Sequence, residues 1–66
     1  HRAAGGRRAA AAAAALKRRD EADALHSRGV VLEGLGRPAE ARECYDRALA
    51  AVPGHAKARA NRDALL

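Results

Sequence analysis

Residues 20–54 read DEADALHSRGVVLEGLGRPAEARECYDRALAAVPG, and the punctuation inside this stretch decides the fold. Asp20 is of a type that caps helix N-termini, and Asp23 follows near the positive end of the helix dipole, so a first helix is predicted to start at Asp20. Its apolar or small positions, Ala22, Leu25, Gly29 and Leu32, are spaced three, four and three apart, which places them on one face. Leu35 lies on a flank. Gly36 ends the helix, because glycine takes the left-handed C′ conformation without a Cβ penalty. After Arg37, Pro38 suits the first turn of a second helix, where its missing N–H costs nothing. Ala41, Tyr45, Ala48 and Val52, spaced four, three and four apart, form that helix's apolar stripe, broadened by Cys44 and Leu49. Pro53-Gly54 ends it. So short a connection joins only antiparallel neighbours, which predicts an αα-hairpin with Gly29 and Ala48 as points of close approach.

The rest of the composition agrees with an all-α fold. The chain has 66 residues, enough for one small domain, and such a chain buries only roughly 60% of its unfolded surface. Apolar types make up 48%, but most are alanine, and the one aromatic residue is Tyr45. Alanine has the highest intrinsic helix propensity, so helix is expected nearly throughout and strands are not. Cys44 has no partner for an internal disulfide, and it shares no metal-ligand spacing with the three histidines, so no metal and no cofactor is expected. A reducing, intracellular compartment fits, with cytoplasm and organelle interior equally open. The longest apolar run, Ala9 to Leu16, falls short of the roughly 20 residues a membrane span needs. The start at His1 and the lack of Met read as a processed chain or a piece of a longer one.

The formal net charge of +5 is unevenly spread. Arg2, Arg7, Arg8, Lys17, Arg18 and Arg19 precede the first acidic residue, whereas from Asp20 onward seven Lys and Arg face eight Asp and Glu. Residues 1–19 therefore hold all the excess positive charge. Three readings stand for this segment. It is an Ala-rich helix or linker, broken at Gly5-Gly6 and with its last cations near the negative end of the dipole. It is a basic arm that meets nucleic acid or an acidic protein surface, although it interleaves no aromatic residue. Or it is the end of an organelle-targeting presequence, although it lacks Ser.

The hairpin resembles the tetratricopeptide repeat, a 34-residue helix-turn-helix with the pattern W-x2-L-G-x2-Y, then A-x3-F, then P. The chain supplies Leu25-x2-Arg28-Gly29-x2-Leu32, then Ala41-x3-Tyr45, with Ala48 and Pro53 where the family has Ala and Pro. Arg28 departs from a position that is usually Leu, so its stem is expected along the surface with the head in water. Leu25, Gly29, Leu32, Ala41, Tyr45, Ala48 and Pro53 are thus the expected structural set. Carried forward, the period makes residues 56–66 a capping helix or the start of another repeat, with Leu66 on a large apolar position. The organisation read from the sequence is a basic Ala-rich segment at 1–19, a hairpin at 20–55 and a further helix at 56–66.

No catalytic constellation emerges. Cys44 falls on an apolar stripe, His26 and Ser27 project about 100° apart on a helix, and Glu43 with Arg47 reads as an exposed ion pair at helical spacing. A protein-interaction scaffold, not an enzyme, is therefore expected, with no small-molecule substrate and no membrane span. The resemblance implies binding on the concave surface lined by first helices, which here exposes Asp23, His26, Ser27, Val30, Glu33 and Gly34, with Lys57 and Asn61 extending it from the next helix. In co-chaperone members of the family a Lys, Arg and Asn clamp grips a C-terminal carboxylate; only Lys57 and Asn61 are compatible with such a clamp here, since His26 and Val30 stand where Lys and Asn would. Since about three repeats are normally needed for stability, neighbouring repeats or a partner protein are expected to complete the apolar face. The alternative is a ribonucleoprotein component whose basic arm contacts nucleic acid.

Overall fold

A computed structural model describes residues 2–65, and side chains from Gly6 onward. The expected role of Leu66 therefore lies outside the described residues, as does the side chain of Arg2. Among the described residues the chain forms three α-helices and no strand: α1 (Arg2–Gly34), α2 (Pro38–Ala51) and α3 (Ala56–Ala64). The molecule is a rod of 52 × 17 × 13 Å, because α1 alone, at about 1.5 Å per residue, is roughly 50 Å long.

One expectation is corrected. No helix starts at Asp20; α1 runs through that residue and through Gly5-Gly6 without a break. The basic Ala-rich segment and the first hairpin helix are one element. The reason is local: Ala9 to Ala15 and Leu16-Lys17-Arg18-Arg19 are strong helix formers, so when Asp20 is reached there is no free helix end for it to cap. Asp20 is simply exposed on the surface.

The hairpin turn follows from Gly36, whose φ of 75° is the only positive value among the described residues. The Gly36 N–H donates to Glu33 O at 3.0 Å and the Arg37 N–H to Leu32 O at 2.9 Å, the paired bonds of a Schellman ending, which satisfy carbonyls that would otherwise be orphaned. Pro38 then occupies the first turn of α2. The Val52 N–H closes the far end of α2 on Ala48 O at 2.8 Å.

The core is small and made mainly of small side chains: Ala22, Leu32, Ala41, Cys44, Tyr45, Ala48 and Ala58 are buried, with Leu25, Leu49, Ala51, Val52 and Leu65 packed around them. Tyr45 is the one large side chain that is fully buried among the described residues. It lies where Gly29 leaves room: a Cβ at Gly29 would come within 2.8 Å of Cζ and 2.9 Å of Cδ1 of that ring. Glycine is therefore required at residue 29 for close approach rather than for backbone freedom. Pro53, expected with the structural set, is exposed; it follows the end of α2 and contributes by stopping the helix, not by packing. Arg28 is exposed, as its departure from the apolar pattern implied.

A polar junction between the first and third helices

The third helix is held against the hairpin by side chains that the sequence did not pair. His55 is its N-cap residue, and the imidazole Nδ1 accepts from the Ala58 N–H at 3.1 Å. A ring nitrogen that accepts carries no proton, so the proton sits on Nε2, and Nε2–H donates to Asp23 Oδ1 at 2.7 Å. One histidine thus caps α3 and ties it to α1. One turn further along α1, His26 Nε2 lies 2.9 Å from Asn61 Nδ2. The order of these two contacts, 23 with 55 and 26 with 61, makes α1 and α3 run in the same direction. Arg62 adds a looser link to α2, with its guanidinium 3.4 Å from Asp46 Oδ1.

A second polar contact sits at the hairpin's centre. The Tyr45 hydroxyl donates to Glu33 Oε2 at 2.9 Å. Burial, followed by the hydrogen bond to Glu33 and its negative charge, pushes the Tyr45 hydroxyl up to about 12, against a smaller opposing effect of Asn61. The rings form a short ladder: His26 lies 5.9 Å from Tyr45 and 5.6 Å from His55 between centroids, tilted by 38° and 32°. No buried side-chain polar atom among the described residues lacks a partner.

This changes the standing of the residues expected on the concave surface. The structure brings His26, Glu33 and Asn61 into one region, but each is half-buried and engaged within the chain. Val30, 45% exposed, and Lys57 remain open to solvent. Beside Lys57 lies an open cleft of about 420 Å³ lined by Arg19, Asp23, Val52, Gly54, His55, Ala56 and Lys57. The basic residues of the first segment, Arg7, Arg8, Lys17, Arg18 and Arg19, stay away from this junction except Arg19 and stand exposed along α1. The ion pair expected between Glu43 and Arg47 is not among those of the described residues, where Arg37 pairs with Glu40 at 2.6 Å instead. His55 is the site residue that sequence reasoning missed; Asp23 was expected on the concave surface, but not as the partner of His55. The one available signal was position, since His55 immediately precedes a helix, where a side-chain acceptor is wanted.

Cys44 is buried, and no cluster of three or more His, Cys, Asp or Glu able to hold a metal ion occurs among the described residues. No helix among the described residues is long and apolar enough to cross a membrane. No curated protein and no solved structure matches the chain. A family model described as tetratricopeptide repeat matches residues 22–55, more than half of the chain and the same span that holds the Gly29–Tyr45 contact, the Gly36 turn and the buried alanines of the hairpin. With an all-helical hairpin built on those residues, the chain belongs to the tetratricopeptide repeat family.

Proposed function

We propose that this protein-interaction repeat takes a segment of a partner protein on the surface shared by α1 and α3, within a larger helical-repeat protein or multi-subunit assembly. The observation that carries this reading is the built junction: Asp23–His55 and His26–Asn61 fix two parallel helices side by side, leaving Val30 exposed on α1 and Lys57 exposed at the rim of an open cleft. The division of labour is physical. Groups already hydrogen-bonded inside the chain, His26, Glu33 and Asn61, set the shape of the surface, because breaking their bonds to meet a partner would leave half-buried groups unpaired. Exposed groups do the contacting. Val30 offers apolar area, while Lys57 and Arg19 offer charge to carboxylates of the partner.

The test is a selection of extended peptides from a random library against the 66-residue chain, followed by affinity measurement for Val30→Asp and Lys57→Glu. Each substitution is expected to weaken the selected peptides at least about tenfold, the equivalent of roughly 1.4 kcal/mol, while Arg42→Glu on exposed α2 surface does not. Peptides that tolerate both substitutions would contradict the proposal.

A further inference from the structure

The projecting half of α1 carries a surface that, apart from Arg19 at the cleft, the α1–α3 junction does not use. Residues 6–19 are all exposed. The α2-facing stripe of α1, Ala22, Leu25, Gly29 and Leu32, nevertheless continues into it. Counting back from Ala22 by helical intervals of four, four, three and four residues gives Arg18, Ala14, Ala11 and Arg7 on the same side. The interface that α2 covers thus extends beyond the end of α2 as an alanine strip with an arginine at each end. Arg8 and Arg19 flank the strip at the same interval as Arg7 and Arg18, eleven residues, which is three turns or about 16.5 Å. The five cations of this half face no acidic residue within it, and none forms an ion pair among the described residues.

We infer that this strip is a docking surface for an acidic amphipathic helix of a partner protein, packing in line with α2. Alanine lets a neighbouring helix approach closely, and a small-residue strip is filled by large apolar side chains from the other side. Two arginine pairs three turns apart select a helix whose carboxylates bracket a leucine-type stripe at the same interval. A second copy of this chain does not fit. Two such strips packed antiparallel set Arg7 of each against Arg18 of the other, and packed parallel they set like against like, with no carboxylate to neutralise them. Bare polyanion binding would leave the alanine strip, which has neither donor nor stacking group, without a role.

The test uses the 66-residue chain and three probes: a synthetic helical peptide with a leucine stripe bracketed by glutamate pairs eleven residues apart, the same peptide with lysine in place of glutamate, and a short double-stranded RNA. Fluorescence anisotropy is read at low and high salt. The acidic peptide binds, more weakly as salt rises, and the lysine peptide does not. In the double variant Arg7→Glu with Arg18→Glu the preference between the two peptides reverses, while helicity by circular dichroism is unchanged. Ala14→Lys lowers the affinity of the acidic peptide at least tenfold, and Arg42→Glu leaves it as it was. Equal binding of the two peptides, binding of neither, or RNA binding tighter than the acidic peptide overturns the inference.

Discussion

The two halves of α1 have the same backbone and different reasons for it. In residues 20–34, Ala22, Gly29 and Leu32 are buried and Leu25 is half-buried against the rest of the hairpin. In residues 6–19 no side chain is buried, and even Leu16 is 60% exposed. Packing holds the hairpin half, and propensity holds the projecting one. An isolated helix of about 12–15 residues is marginal in water even when rich in alanine, because its first turn is costly to nucleate. The projecting half avoids that cost by propagating from a turn that tertiary contacts have already fixed. A uniform helix can therefore contain one stretch that depends on the fold and one that depends mainly on its own residues.

Substitutions can break this contrast from the packed side. Tyr45→Ala removes a large, fully buried side chain and leaves Glu33 without its donor. It should cost about 3–5 kcal/mol, a large part of what a chain of this size has at about 0.05–0.15 kcal/mol per residue. A thermal melt followed by circular dichroism should lose its cooperative step. The same ring gives a pH limit. Its hydroxyl is raised to about 12 in the folded chain from an ordinary 10.0, so the stabilisation is fully present below pH 10 and is lost as pH rises toward 12. Denaturant midpoints measured across that window should fall as the phenolate absorbance rises.

Glycine-to-alanine changes set the two halves against each other directly. Gly29→Ala places a Cβ against the Tyr45 ring, and overpacking of about 1–3 kcal/mol outweighs the roughly 1 kcal/mol gained in helix propensity. The denaturant midpoint should drop. His55→Ala removes the cap of α3 and its tie to Asp23, costing about 1 kcal/mol, visible as faster amide exchange confined to α3. Smallest is Gly6→Ala, where nothing lies within 4 Å. It should raise helicity by about 0.5–1 kcal/mol of local stabilisation and leave the midpoint of the hairpin unchanged.

The hairpin was legible because its signals are local and mutually consistent. Gly36 and Pro38 mark the turn by backbone geometry, and the three-and-four spacing of Ala22, Leu25, Gly29 and Leu32 names the buried face. The start of α1 was not legible, because Asp20 has the same side chain whether it caps a helix or rides in the middle of one, and only the strength of the preceding helix formers decides. The α1–α3 junction was hidden for a different reason. Asp23 and His55 stand 32 residues apart and His26 and Asn61 stand 35 apart, and nothing in residue type alone distinguishes an exposed histidine from one that is bonded across helices. Residue type marks His26, Glu33 and Asn61 as exposed groups, whereas each is half-buried and hydrogen-bonded within the chain.

Amide hydrogen exchange along α1 tests the division most directly. Residues 20–34 should exchange with α2, at the slow rate of the cooperative hairpin, and residues 6–19 should exchange much faster, in a gradient that quickens toward the N-terminal end. Tyr45→Ala should erase the slow class. Equal protection of the two halves, or a projecting half that stays slow in the Tyr45 variant, would contradict the account.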